Sequence, residues 1–94
     1  MYVPEEFDFL IGCFWDGSLQ RATSLDDWVS KAVRLLDAQK KAVVKPFIDE
    51  LLISNLSDQE LQRIWNEGGA CYSFPDANEL RRVLGVIRDK LAAE

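Results

Sequence analysis

The apolar residues of this chain recur every three or four positions along most of its length, which is the spacing of one face of an α-helix. No stretch alternates apolar and polar residues as a half-buried strand would. With 94 residues, the chain can bury one core without a metal or a disulfide. The pattern therefore predicts one all-α domain over residues 1–94, a compact antiparallel bundle of about five helices. The five apolar stripes begin at Phe7, Leu25, Val43, Leu61 and Leu80.

Helix boundaries are clearest in the second half of the chain. Residues 57–60 read Ser-Asp-Gln-Glu, a capping box in which the serine hydroxyl caps a helix N-terminus. Leu56 and Leu61 flank the box at the spacing of a hydrophobic staple. The glycines at 68–69 terminate that helix, and Asp76 is placed to cap the next one.

The first half of the chain contains weaker signals. The first helix is apolar over much of its circumference, so we expect it to be central. Asp16-Gly17-Ser18 is expected to end it, with a loop over 17–23 before Ser24 caps the second helix. That second helix is expected to end near residues 37–40. Pro46 interrupts the third stripe and predicts either a kink or a helix start.

Several function classes lack their usual residues. The chain has no histidine, the commonest general base and metal ligand, and two cysteines are too few for a zinc site. Neighbouring carboxylates on a helix point about 100° apart and do not converge on one ion. No glycine loop suited to phosphate binding is present. We therefore expect no enzymatic activity, no catalytic residue, no cofactor and no metal.

The charge balance and the cysteines bear on partners and location. A net charge of −5 makes the chain a poor ligand for nucleic acid, and no apolar run is long enough to span a membrane. The acidic N-terminus does not resemble a secretory signal. We expect Cys13 and Cys71 to be reduced, partly buried thiols in a cytoplasmic protein.

The negative charge is concentrated in the first third of the chain. Residues 1–30 hold six acids and one base, a net charge of −5, whereas residues 31–94 hold ten of each. Exposed aromatic residues supply binding energy, and surrounding acids speed association with a basic protein. The hypothesis is a docking surface formed by Asp8, Phe9, Trp15, Asp16, Asp26 and Asp27.

A simpler interpretation of the same residues stays open. The acids can be a solvated face that covers core aromatics, with Trp15 among them. Under the docking hypothesis, Phe9 and Asp16 share one face of the first helix, and Trp15 leaves the core at the end of that helix.

The order of elements resembles a small helical group of immunity proteins from bacterial contact-dependent growth inhibition systems. The resemblance rests on residues 56–61 (Leu-Ser-Asp-Gln-Glu-Leu), the glycines at 68–69, Cys71-Tyr72 and the leucine-rich closing helix. Residues 12–15 (Gly-Cys-Phe-Trp) correspond to an early aromatic element of that group. The resemblance spans roughly residues 7–91.

The resemblance implies a binding function rather than catalysis. Such immunity proteins bind and block the C-terminal toxin domain of an exoprotein, and many of these toxins are nucleases with basic clefts. The oligomeric state is not implied. The leading alternative is a small acidic helical adaptor or regulatory module that binds another protein, and an enzyme or ligand-binding domain is a third hypothesis.

Overall fold

Six helices make up the part of the chain that the computed structural model describes, residues 2–93. The fold is an all-α bundle, with no strand assigned in those residues. The helices are α1 (Glu5–Gly12), α2 (Asp16–Gln20), α3 (Leu25–Arg34), α4 (Ala38–Ile53), α5 (Asp58–Glu67) and α6 (Ala77–Ala92).

Six helices agree with the expected bundle of about five, and helix α2 corrects the expected loop over residues 17–23. Helix α1 ends at Gly12, and Asp16-Gly17-Ser18 begins α2 instead of ending α1. Consequently Phe9 and Asp16 do not share a face of one helix, as the sequence had suggested. Helices α1 and α2 are separate because the backbone between them is extended at Trp15, with φ −148° and ψ 165°.

Three further expectations need correction. Helix α3 ends at Arg34, earlier than residues 37–40, because Asp37 caps α4 by accepting a hydrogen bond from the Lys40 backbone N–H. Helix α4 runs through Pro46, so of the two predicted alternatives, a kink or a helix start, the helix start is wrong. The central helix is α6, which packs against α3, α4 and α5, whereas α1 packs mainly against α4.

The core contains a chain of aromatic side chains at its centre. Trp65 lies 5.5 Å from Phe14, 5.3 Å from Phe74 and 6.3 Å from Phe7, measured between ring centroids. Its indole N–H donates to the Tyr72 carbonyl at 2.9 Å. This bond ties the link between α5 and α6 to the core. Within residues 2–93, no buried side-chain nitrogen or oxygen lacks a hydrogen-bond partner.

The predicted caps are present. Ser24 Oγ accepts from the Asp27 N–H at 3.0 Å, and Asp76 accepts from the Asn78 N–H at 2.9 Å. After α5, Gly69 adopts a φ of 87°, the left-handed conformation that favours glycine at a helix stop. Both cysteines are free, as expected, but Cys71 is exposed rather than partly buried.

Replacing Ser57 with alanine tests whether the capping box at residues 57–60 serves folding alone. Ser57 Oγ accepts a hydrogen bond from the Glu60 N–H at 3.2 Å, and its loss is expected to lower the free energy of unfolding by about 1 kcal/mol. Urea unfolding measures the change. Affinity for a binding partner, corrected for the folded fraction, should stay the same. A tenfold weaker affinity in folded protein would show that this cap also contacts the partner.

Candidate functional site

Three aromatic side chains of the N-terminal third are exposed, Tyr2 and the two predicted docking residues Phe9 and Trp15. Phe9 is 46% exposed and Trp15 is 44% exposed, whereas Phe14 and Trp28 are buried. The structure thus places Trp15 outside the core, the point that the sequence left open. Phe9 and Trp15 carry apolar surface that a partner can cover.

Trp15 stands at the extended junction between α1 and α2, where Ser18 organises the backbone. The Ser18 hydroxyl accepts from the Trp15 N–H at 3.1 Å and from the Trp28 indole N–H at 2.8 Å. Its own hydrogen can go to the Trp15 carbonyl at 2.7 Å or the Cys13 carbonyl at 3.2 Å. One hydroxyl therefore joins the junction to α3, because Trp28 lies on that helix.

The Trp15 ring also packs against the backbone of Gly17. A Cβ atom added at Gly17 would lie 2.1 Å from the ring, far inside van der Waals contact. The guanidinium carbon of Arg21 lies 6.0 Å from the centroid of the same ring. The ring is thus exposed to solvent yet positioned by groups of its own chain.

Trp15 forms one wall of a surface groove of about 380 Å³, which we name the aromatic groove. Side chains of α3 line it too, among them the buried Trp28 and Ala32, and so does Leu35, which is 62% exposed. Cys13 lines it as well, and burial raises the pKa of the Cys13 thiol. The lining residues are Cys13, Trp15, Ser18, Arg21, Trp28, Lys31, Ala32 and Leu35.

Phe9 lies on a different part of the surface, beside the start of α4. The Lys40 ammonium lies 5.0 Å from the Phe9 ring centroid and 3.2 Å from an oxygen of Asp37. Glu5 and Glu6 line the same depression. A hydrogen bond from the Lys40 backbone N–H, with the Lys40 ammonium, lowers the pKa of Asp37 below its usual range.

The six residues predicted to bind a partner have different surroundings. Asp8, Phe9 and Trp15 line three separate depressions. Asp26 is paired with Lys90 of α6, at 2.8 Å between charged atoms. Asp27 is paired with Lys31 at 3.1 Å.

The acids differ in how far their own chain neutralises them. A hydrogen bond from the Thr23 N–H, together with Lys31, lowers the pKa of Asp27. Among the acids of residues 2–30, four make no salt bridge to a described base, and these are Glu5, Glu6, Asp8 and Asp16. They therefore retain the charge that can attract a basic partner.

Leu35 and Arg21 are site residues that the sequence interpretation missed. Leu35 lies beside the α3 stripe, whose next member, Leu36, is buried. A large apolar residue just off a helical stripe was the available signal for an exposed contact. Arg21 is the single base of residues 1–30, and only the fold shows that it lies over Trp15.

Gly17→Ala is expected to displace the Trp15 ring while the protein remains folded. The added methyl group cannot share space with the ring, and Trp15 is not part of the core. We expect higher acrylamide quenching of tryptophan fluorescence with an unchanged helical circular dichroism spectrum. Gly12→Ala is the matched control, because a Cβ there meets no atom within 4 Å. Identical quenching in both variants would contradict the packing of Trp15 on Gly17.

Asp8→Asn is expected to raise the melting temperature slightly at pH 7. Partial burial, and secondarily the charge of Glu5, raises the pKa of Asp8 above its ordinary value of 3.8. The folded state therefore disfavours ionised Asp8 at a pH above this raised pKa. Below pH 3.8 the carboxyl is mostly protonated in both the folded and the unfolded state, so the stability advantage of asparagine should vanish. Melting curves at pH 7 and pH 3 measure this, and a variant less stable at pH 7 would contradict it.

Among residues 2–93, no group of three or more acidic, cysteine or histidine side chains could hold a metal ion. None of the helices in that range has the length and apolar character needed to cross a membrane. No protein-family model, curated protein or solved structure matches this chain.

Proposed function

We propose that this chain is an immunity protein that binds and neutralises the C-terminal toxin domain of a contact-dependent growth inhibition exoprotein. The observation that carries the proposal is the state of Trp15, an exposed indole that packs against Gly17 and whose backbone N–H donates to Ser18. An exposed aromatic side chain that already packs against its own chain loses less conformational entropy on binding, and tryptophan is enriched among hot spots. The sequence resemblance suggests which class of partner it meets.

The unpaired carboxylates suggest the charge of that partner. Glu5, Glu6 and Asp16 keep their charge free of described salt bridges, and the whole net charge of −5 resides in residues 1–30. A nuclease domain presents a basic cleft to phosphates, and carboxylates can occupy that cleft in their place. In this proposal the protein acts in the cytoplasm, where an incoming toxin would have to be met.

The first experiment identifies the partner. The tagged protein is purified from its native host, and the proteins bound to it are identified by mass. Recovery of the C-terminal domain of an exoprotein encoded just upstream, and restored growth of cells expressing that domain, support the proposal. Recovery of a regulatory protein from an unrelated operon instead would favour the adaptor function.

The second experiment tests the charge argument on the captured complex. Glu6→Lys combined with Asp16→Lys should slow association about tenfold or more and flatten its dependence on salt. Glu50→Lys combined with Glu79→Lys is the matched control, because it makes the same change of charge on α4 and α6. Equal association rates for the two double variants would refute steering by the N-terminal acids.

A further inference from the structure

The aromatic groove has the size and lining of a receptor for apolar side chains. Its volume of about 380 Å³ lies within the range of roughly 300–1,000 Å³ that is typical of ligand pockets. Two indole rings, Ala32 and Leu35 supply its apolar surface. Trp28 is itself buried and held by the Ser18 hydroxyl, so this wall of the groove is formed before any partner arrives.

The rim of the groove carries a charge opposite to that of the rest of the N-terminal third. The Arg21 guanidinium makes no salt bridge to a described carboxylate, and it lies over the Trp15 ring. Lys31 lines the rim too, but Asp27 at 3.1 Å and the Arg21 carbonyl at 2.9 Å already hold its ammonium. Arg21 therefore supplies the one rim charge that is not compensated within residues 2–93.

We propose that the aromatic groove binds an apolar side chain of the partner whose neighbouring residue is acidic, with that carboxylate paired to Arg21. The inference rests on the proposed function in one respect only, that the occupant is a segment of a partner protein. Charge complementarity selects the acidic neighbour, since a carboxylate is the group that a free guanidinium pairs with best.

The local charge pattern also accounts for specificity. A partner must place basic residues against the free acids of α1 and an acidic residue against Arg21. A uniformly basic protein satisfies the first requirement and leaves Arg21 facing another cation. Alternating charges of this kind fix the register of a complex and disfavour wrong partners.

Short capped peptides test the inference without the partner. The probe is acetyl-Leu-Leu-Asp-Asp-amide, compared with acetyl-Leu-Leu-Lys-Lys-amide and acetyl-Ser-Ser-Asp-Asp-amide. Binding to the full chain is followed by the NMR shift of the Trp15 indole N–H. Salt at 0.15 M limits long-range attraction to about 8 Å, which leaves mainly contact effects.

The expected order of peptide affinities is the reverse of the order that the net negative charge of the protein would give. The leucine–aspartate peptide should bind about threefold or more tighter than the leucine–lysine peptide, the size of one exposed ion pair. The serine peptide should not shift the Trp15 signal. Arg21→Gln should remove the preference, whereas Arg34→Gln, an equal loss of charge on an exposed part of α3, should keep it.

Other outcomes would overturn the inference. A leucine–lysine peptide that binds as tightly as the aspartate one would show that net charge, and not Arg21, selects the occupant. A Trp15 shift that depends on protein concentration alone would identify a second copy of the chain as the occupant. Failure with every peptide would remove the groove as a site but would not affect capture of the toxin, which tests the proposed function separately.

Discussion

Trp65→Ala is expected to lower the free energy of unfolding by about 3–5 kcal/mol, the largest stability change that we expect from any single substitution discussed here. The Trp65 side chain is 1% exposed and contacts the rings of Phe7, Phe14 and Phe74. Its removal leaves a cavity at the centre of the bundle. It also leaves the Tyr72 carbonyl without its 2.9 Å hydrogen bond. The total free energy of unfolding of domains of this size is roughly 5–15 kcal/mol, so the variant should be marginally folded.

Two further variants separate the parts of that effect. Trp65→Phe keeps most of the ring contacts and loses the indole donor. It should therefore lower the free energy of unfolding clearly less than Trp65→Ala does. Ile53→Ala removes a side chain that is 84% exposed and should change stability by no more than about 0.5 kcal/mol. Urea unfolding of the three proteins gives the comparison. A Trp65→Ala loss below about 1 kcal/mol would mean that the aromatic centre is not where the structure places it.

Most of the fold could be predicted because local chemistry and tertiary packing agree. The apolar stripes that begin at Leu25, Leu61 and Leu80 coincide with the buried faces of α3, α5 and α6. Serine and aspartate caps mark where those helices begin. Each cap is a contact between residues two or three positions apart, so the sequence displays both partners together.

The junction at residues 13–20 could not be predicted, because its local signals favour the opposite result. Asp16-Gly17-Ser18 is a common way to end a helix, yet here it opens a short one. The deciding contact is the bond from the Trp28 indole to the Ser18 hydroxyl, ten residues away in sequence. The sequence also does not distinguish a glycine that ends a helix from a glycine that leaves space for a nearby aromatic ring.

The candidate site was predicted only in part, and the reason is again distance in sequence. Composition identified an acidic third that contains exposed aromatics, and Phe9 and Trp15 are indeed exposed. It could not show that Asp26 is already paired with Lys90, 64 residues further along. Free charge and exposed apolar surface therefore coincide only in part. Glu5 and Glu6 share a depression with Phe9, whereas Asp26 and Asp27 are neutralised by bases of their own chain.

Trp15→Ala is expected to weaken binding to the partner by about 2 kcal/mol or more, which corresponds to roughly thirtyfold in Kd. The exposed indole is the anchor of the proposed interface, so its loss should act mainly on the dissociation rate. Surface plasmon resonance with the captured toxin domain measures both rates. Stability should fall by only about 1–2 kcal/mol, because less apolar area is lost than at a fully buried tryptophan.

Gly17→Ala separates the presence of the Trp15 ring from its position. If the fixed pose matters, this variant should also raise the dissociation rate although it retains the indole, and Gly12→Ala should not. Loss of binding in Trp15→Ala alone would show that the ring acts as apolar surface without need of preorganisation. If Trp15→Ala unfolds the protein, the ring belongs to the core, and the exposed pose that supports the proposed function is wrong. If it folds and binds as tightly as the original chain, the interface lies elsewhere, because a hot spot cannot be removed without loss of affinity.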